Sequence, residues 1–273
     1  MLRPDRNLLC LSAAAFASAA SLRVCDPMLP ALSIEFGTTA AAAAIVVTLY
    51  TIGYGAAQLI HGPLGDWFGK SRYIAGASLL AAAATLLCAL ATSLAMLEYA
   101  RLLTGTFAAA IVPLALAWVG DAVPYGERQA ALAKFLNATI LGIILGQMLG
   151  GFFADTAGWR WAFVLLSAIS ALSGWQLMHV RASNSEGIRK VVAGDRRGVL
   201  DAYGVVLSTR WARAIIVVVA AEGLFVFGAL AFIPTWLHQQ AGLPASLAGA
   251  AVASFALGGL VYTTNAARLL HHI

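Results

Sequence analysis

Eight long apolar runs follow one another along the chain, separated by short polar connections. They cover approximately residues 8–33, 39–61, 73–94, 97–123, 131–154, 161–180, 212–237 and 244–266. Each is close to the length of about 20 apolar residues that a helix needs to cross a bilayer, and is too long for a barrel strand. Because only helices or closed barrels satisfy their backbone groups in lipid, the pattern predicts an all-α membrane protein with eight transmembrane helices.

The first run has an alternative interpretation as a secretory signal. Arg3 and Arg6 precede an apolar stretch that reaches Ala17-Ser18-Ala19, which is typical of a cleavage site. We favour a transmembrane helix because the apolar run continues past that site and further spans follow. Pro27 and Pro30 near its far end predict a kink there, since proline removes a helical hydrogen bond.

A polar, basic segment divides the spans into two groups. Residues 1–181 carry six spans, residues 182–211 form the polar segment, and residues 212–273 carry two more spans. We expect a complete first six-helix bundle, a solvated cytoplasmic linker and a partial second bundle.

Positive charges mark alternate connections between the spans. They are Arg3 and Arg6, then Lys70 and Arg72, then Arg128 and Lys134, followed by the linker. The intervening connections carry Glu35, Glu98, Asp155 and only Arg160. Cationic connections lie in the cytoplasm, so the pattern predicts a multi-pass protein of the cell inner membrane with its N-terminus inside.

Composition supports a membrane location and excludes other classes. The chain is 61% hydrophobic and 11% charged, whereas soluble domains carry about 25% charged residues. Its net charge of +5 fits basic cytoplasmic loops, and no basic patch with interleaved aromatics indicates nucleic acid. The three cysteines have neither disulfide nor metal-ligand spacing, and no nucleophile motif or phosphate loop occurs. We expect no enzyme activity, cofactor or metal.

The connection between the second and third runs, residues 62–72, contains three glycines, a proline and several charges. Gly62 and Pro63 predict the end of the second helix, and Asp66 is expected to pair locally with Lys70 and Arg72. This segment resembles the G-x-L-x-D-R-x-G-R-K loop of the major facilitator superfamily. The match holds at Gly62, Leu64, Asp66, Gly69 and Lys70, and it departs at Trp67.

Three further stretches resemble the same superfamily in the expected order. They are Arg101 to Gly105 (R-x-x-x-G), the glycines of the fifth run (G-x-x-x-G-P-x-x-G-G, with Gln147 in place of proline), and Gly158 to Phe163 (W-R-W-x-F). The chain is most similar to bacterial drug or sugar efflux permeases of the proton-antiporter kind. The resemblance implies alternating access between two six-helix bundles, with the lipid bilayer, a small-molecule substrate and protons as partners.

That fold needs twelve spans, and the sequence predicts eight. We expect a transporter truncated after the eighth helix, with completion by oligomerisation as the less favoured alternative. The contrasting hypothesis is a membrane fragment that folds but does not transport. The sequence leaves the substrate and the direction of transport open.

Four ionisable residues fall within or near the spans, where a charge costs about 2.5–3.5 kcal/mol and therefore needs a partner or a wet cavity. They are Arg23, Asp26, Arg101 and Glu222. Arg23 and Asp26 can pair on one helix face, and Asp26 can also meet Arg101 across the cavity. Asp26 is equally compatible with a structural ion pair and with proton coupling. Glu222 has no cation nearby in its helix, so we expect it to be protonated or to face an aqueous pathway. We rank Asp26 and Glu222 first as proton carriers.

Two further groups of residues have predicted conformational roles. The resemblance implies a latch formed by Gly62, Asp66, Gly69, Lys70, Arg72, Asp121 and Arg128, for which solvated loop charges are the alternative. Glycines four residues apart share one helix face, so a partner helix can approach them closely. These packing glycines are Gly142, Gly146, Gly150 and Gly151.

Overall fold

The computed structural model describes residues 4–179 and 199–270. Among these residues every regular element is helical. In chain order the elements are α1 (Pro4–Arg23), a 3-10 turn (Asp26–Met28), α2 (Leu29–Glu35), α3 (Ala40–Ala43), α4 (Ile45–Phe68), α5 (Lys70–Ala89), α6 (Leu94–Ala108), α7 (Ile111–Ala122), α8 (Tyr125–Asp155), α9 (Arg160–His179), α10 (Val199–Ser208), α11 (Arg210–Glu222), a π-helical turn (Gly223–Phe227), α12 (Gly228–Ala241) and α13 (Ala245–Leu270).

Seven helical segments of the described chain are long and apolar enough to cross a membrane. They are Asn7–Glu35, Ala40–Phe68, Lys70–Ala89, Leu94–Ala122, Tyr125–Asp155, Arg160–His179 and Arg210–Ala241. A shorter apolar stretch, Ala245–Val261, lies in α13, at the place of the eighth predicted span. The all-α membrane class is therefore confirmed.

The described residues divide into two compact units, one within 1–181 and 233–273 and the other within 182–232. In the first unit, α5 packs against α9, α4 packs against α6, and α8 packs against both α1 and α13. The predicted linker lies partly outside the described residues, and its described part contains the helix α10. The predicted domain boundaries stay a prediction.

The prediction that Gly62 and Pro63 end the second helix is wrong. α4 continues to Phe68 with Pro63 inside it. Proline costs a helix one hydrogen bond, a loss that transmembrane helices tolerate. Gly69 is the single residue between α4 and α5, and its φ of 85° lies in a region that a side chain disfavours. The hairpin is therefore tighter than predicted, and it brings Asp66 and Lys70 within one helical turn of Gly69.

Prolines do interrupt two other spans. The predicted kink near Pro27 and Pro30 is confirmed, because the first span breaks between Arg23 and Asp26. The fourth span, predicted as continuous, breaks between Ala108 and Ile111 ahead of Pro113. Each break leaves main-chain carbonyls without their usual helical donors, and side chains of neighbouring helices bind some of them.

The core of the first unit consists of two apolar clusters. One contains Val24, Leu29, Leu97 and Phe163 and therefore surrounds the break in the first span. The other contains Leu11, Ile74, Ile111 and Phe135. Charged side chains near the first break consequently lie among apolar neighbours.

Candidate functional site

Arg23 and Asp26 lie on the two sides of the break in the first span. α1 ends at Arg23, and Asp26 opens the 3-10 turn that precedes α2. Arg23 Nη1 donates to Asp26 Oδ2 at 3.2 Å, with the two residues 5% and 0% exposed. The other carboxylate oxygen, Oδ1, has no hydrogen-bond partner in the described structure. The local pair that the sequence spacing permits is thus formed, and one acceptor remains available.

Arg101 on α6 is fully buried and contacts two neighbouring spans through polar groups. Its Nη1 donates to the carbonyl oxygen of Ser21 at 2.9 Å and to Ser21 Oγ at 3.3 Å, and its Nε donates to the Val46 carbonyl at 3.4 Å. The guanidinium carbon lies 4.1 Å from the centre of the Tyr50 ring, within cation–π range. Its Nη2 has no hydrogen-bond partner in the described structure.

The two cations and the carboxylate form one buried charged site at the break. Ser21, which Arg101 binds, lies in the last turn of α1, just before Arg23 and Asp26. The described ion pairs join Asp26 to Arg23 and not to Arg101. Among the residues whose side-chain burial the structure describes (7–179 and 204–261), the buried charged ones are Arg23, Asp26 and Arg101. The site therefore combines one carboxylate with two guanidinium groups, and Asp26 Oδ1 and Arg101 Nη2 have no hydrogen-bond partner in the described structure.

Glu222, predicted as the second proton carrier, has a different environment. It is the last residue of α11, a helix with no buried residue, and it is itself exposed. The π-helical turn Gly223–Phe227 follows it directly. No ion pair of Glu222 is found among the described residues.

The glycines of α8 face two different helices. Three of them face the first span, and a Cβ at any of these three would lie 2.1–2.5 Å from a backbone carbonyl oxygen. Gly142 faces the oxygen of Phe16, Gly146 that of Ala20, and Gly150 that of Val24, the residue after α1. A Cβ at Gly151 would lie 2.3 Å from the carbonyl oxygen of Ala245. Three glycines therefore allow α8 to approach the first span up to its break, and the fourth allows it to approach α13.

The residues of the predicted latch are only partly brought together. Lys70 Nζ lies 3.5 Å from Asp66 Oδ1 and also forms an ion pair with Asp121 at the end of α7. Arg128 instead donates from Nε to the Val123 carbonyl at 2.9 Å. Arg72 lines a neighbouring surface cavity, together with His61, Phe68, Tyr73 and others. Lys70 is thus the residue that connects the α4–α5 hairpin to α7.

Sequence reasoning missed a cluster at the opposite end of the bundle. Glu35 Oε1 lies 2.6 Å from Arg160 Nη1, and Glu35 Oε2 accepts from Trp159 Nε1 at 2.6 Å. Arg160 Nη2 donates to the Ala91 carbonyl at 2.9 Å, and its guanidinium carbon lies 4.3 Å from the Trp159 ring centre. These contacts join the ends of three spans on the side opposite the α4–α5 hairpin. Trp159 and Arg160 in the W-R-W-x-F stretch were visible in the sequence as candidates for such a contact. Their partner Glu35 was not, because it lies 124 residues from Trp159.

His61, the last residue of the second predicted span, lies inside α4. Its Nε2 is 2.8 Å from the Thr106 carbonyl, which can only accept, so Nε2 donates to it; Nδ1 lies 2.7 Å from the Tyr73 hydroxyl and is hydrogen-bonded to it. At the break between α6 and α7, the Ala110 amide donates to Phe107, which leaves the Thr106 carbonyl available to His61. His61 is thus a structural link between spans. Among the described residues, no group of histidine, cysteine and acidic side chains could hold a metal ion.

Comparison with known proteins gives consistent matches. The family model described as Major Facilitator Superfamily matches residues 11–273. The putative uncharacterized transporter YgaY of Escherichia coli is 32% identical over 187 residues, which are 64% of this chain and 46% of that protein. The uncharacterized transporter EfpA of Mycobacterium tuberculosis is 33% identical over 66% of this chain and 32% of its own length. The efflux pump FUB11 of Gibberella fujikuroi is 33% identical over 50% of this chain and 24% of its own length. The chain therefore matches less than half the length of these curated relatives.

Solved structures of other transporters share the fold. A bacterial homologue of the human lysosomal transporter Spinster, in an inward-facing and unoccupied conformation, superposes with a TM-score of 0.74 at 18% identity. The match covers 98% of this chain and 64% of that one. A D-xylose-proton symporter superposes with a TM-score of 0.71 at 14% identity over 98% of this chain and 69% of the other.

Proposed function

Because the chain belongs to the Major Facilitator Superfamily, we propose that it transports small molecules across the membrane by alternating access, in exchange for protons. The superfamily consists of membrane transporters and not of enzymes, and the chain is a multi-pass membrane protein. Proton coupling, outward transport and a drug-like or sugar-like substrate belong to the proposal.

Proton coupling is supported chiefly by the buried charged site at the break in the first span. Asp26 is the one buried carboxylate among the residues whose side-chain burial the structure describes, and its charge is balanced by Arg23 at 3.2 Å. Protonation of Asp26 would remove that ion pair and the negative charge from a buried site that also contains Arg101, which is costly in an apolar surrounding. Binding or release of one proton would therefore change which conformation of the break is favoured. Broken helices of this kind commonly form the binding sites of transporters.

Arg101 has the role of a fixed positive charge in this proposal. Its guanidinium stays charged and is held by the Ser21 carbonyl and the Tyr50 ring. The free Nη2 atom can bind Asp26 or an anionic group when the break rearranges. Glu222 is retained as a second candidate proton carrier, since it adjoins an irregular helical turn.

Direction and partners are supported by the relatives. One is named an efflux pump, and one neighbouring structure is a proton symporter for D-xylose. We further propose that the Lys70–Asp66–Asp121 cluster lies on the cytoplasmic side, where the positive connections place it, with the N-terminus also inside the cell. There it would stabilise one of the two access states, together with Gly62, Gly69, Arg72 and Arg128.

The test is substrate-dependent proton flux. The chain is reconstituted in liposomes with an internal pH-sensitive dye, a proton gradient is imposed, and a panel of drug-like and sugar-like compounds is added. We expect at least one compound to release protons, and we expect Asp26→Asn to reduce that flux more than tenfold. Glu98→Gln removes a carboxylate that is not buried and serves as the matched control.

The outcomes separate the two hypotheses. Equal flux from Asp26→Asn and Glu98→Gln would exclude Asp26 as the proton carrier. Absence of flux with every compound would favour the alternative function, a folded membrane unit that does not transport. The feature consistent with that alternative is α11, an apolar helix that buries none of its side chains.

A further inference from the structure

Asp155 binds the start of α13 from the end of α8. Its Oδ1 accepts a hydrogen bond from the Ala245 amide at 3.0 Å, and its Oδ2 accepts from the Ser246 amide at 2.7 Å. The first amides of any helix lack helical acceptors, and negative charge is favourable beside them. The residue before Ala245 is Pro244, whose side chain has no oxygen that could act as an N-cap. The cap of α13 is therefore supplied by a residue 90 positions earlier in the chain.

Two glycines bring the same helices into backbone contact next to this cap. A Cβ at Gly151 would lie 2.3 Å from the Ala245 carbonyl oxygen, and one at Gly249 would lie 2.7 Å from the Gln147 carbonyl oxygen. Both distances are shorter than a real Cβ contact, so each helix approaches the other only because glycine stands there. The cap and the two glycines thus define a single close-packed arrangement of α8 against α13.

This contact lies at the opposite end of α8 from the Lys70 cluster. α8 begins at Tyr125, just after Asp121, and ends at Asp155 after 31 residues, or about 46 Å of helix. α8 is the fifth span, and α13 corresponds to the eighth predicted span, which would belong to the second bundle. In a transporter whose bundles rock about a central site, the two ends of such an interface open alternately.

From these observations we propose that Asp155 is a releasable latch that holds α13 against α8 and closes the access pathway at the end opposite Lys70. The proposal rests on transport by alternating access. Asp155 is exposed, so water can hydrate its carboxylate and the two amides when the helices separate. The contact therefore favours the closed arrangement without preventing opening. Asp155 acts here as a positioning residue that sets the ratio of the two states.

The test measures the distance between α8 and α13 directly. Phe152 and Leu247, which are 53% and 56% exposed, are replaced by cysteine and spin-labelled in the full chain in lipid nanodiscs. The native cysteines Cys10, Cys25 and Cys88, all buried, are replaced by alanine. Pulsed electron paramagnetic resonance then gives the distance distribution, in which a latch requires two discrete populations, closed and open.

Asp155→Ala is expected to lower the closed-to-open ratio about five-fold while both distances stay where they are. Asp155→Asn, which keeps one acceptor oxygen, is expected to give a smaller decrease. Gly249→Ala perturbs the same contact sterically with the carboxylate intact, and it is expected to lower the ratio as well. The matched controls are Glu98→Gln for the charge and Gly258→Ala, where a Cβ meets nothing within 4 Å, for the methyl group.

A single population, or a ratio that neither Asp155→Ala nor Gly249→Ala changes relative to the controls, would overturn the latch. If Asp155 were only a structural cap, its loss would shift or broaden a single distance and would not change the ratio of a closed and an open population. The measurement needs neither substrate nor a proton gradient. Failure of the proton-flux assay would therefore overturn the proposed function without altering this result.

Discussion

Replacing Gly150 by alanine is expected to destabilise the first unit by forcing α8 away from the break in the first span. A Cβ at this position would lie 2.1 Å from the Val24 carbonyl oxygen and 3.1 Å from Pro27 Cγ. Real Cβ contacts essentially never fall below 3.0 Å, so the backbones must separate by about 1 Å. The obstructing atom belongs to the main chain next to Asp26, so no side-chain rotation can relieve the clash.

The magnitude follows from two opposing effects. Overpacking of this kind costs about 1–3 kcal/mol, whereas glycine to alanine within a helix gains up to about 1 kcal/mol. Gly55→Ala in α4 isolates the second effect, because a Cβ there meets nothing within 4 Å. The free energy of unfolding of Gly150→Ala should therefore be about 1–3 kcal/mol lower than that of Gly55→Ala.

Equilibrium unfolding of both variants in detergent micelles, followed by far-ultraviolet circular dichroism, measures this difference. Gly142→Ala and Gly146→Ala, with clashes at 2.4 Å and 2.5 Å, should be destabilised by smaller amounts. If Gly150→Ala and Gly55→Ala unfolded with free energies equal within about 0.5 kcal/mol, the steric argument would be refuted.

Three further experiments, two with single variants and one with a double-mutant cycle, test individual contacts by the same unfolding measurement. Arg101→Met should cost about 2–4 kcal/mol, because it removes charged hydrogen bonds to buried carbonyls and a cation–π contact, and a loss below 1 kcal/mol would contradict the role given to Arg101. Glu35→Gln should cost less than about 1 kcal/mol, and the loss should shrink in high salt because its ion pair with Arg160 is partly exposed. A double-mutant cycle with Lys70→Ala and Asp121→Asn should give a coupling of about 0.2–1 kcal/mol, and additive effects would show that the ion pair contributes nothing.

Several features of the site could be read from residues that are close together in sequence. Arg23 and Asp26 are three residues apart, and Pro27 follows directly, so both the ion pair and the helix break were predictable. The glycines of α8 recur at a helical period, which indicated a close approach by a partner helix. Local spacing carries this information because one turn of helix fixes which side chains are neighbours.

Other features depend on residues far apart in sequence. Pro63 did not end its helix as predicted, because proline's cost is small beside the requirement that backbone groups in lipid remain bonded. The sequence allowed Asp26 to meet Arg101; the described ion pairs do not join the two, and Arg101 binds the Ser21 and Val46 carbonyls. Every residue has a main-chain carbonyl group, so the sequence does not show which of them accept hydrogen bonds from Arg101.

The sequence by itself determined the membrane class and the approximate spans, because hydrocarbon thickness and backbone hydrogen bonding leave long apolar helices as the available solution. The superfamily was indicated separately, by the resemblance of four short motifs. Only the tertiary structure decided that α8 packs its glycines against α1 on one face and α13 on another, and that Asp155 caps a helix 90 residues away. The physical reason is that such contacts depend on the rotation and register of one helix against another. The apolar helices have similar compositions, so composition does not determine which faces meet. The rotation and register of each helix are set by packing across the whole bundle.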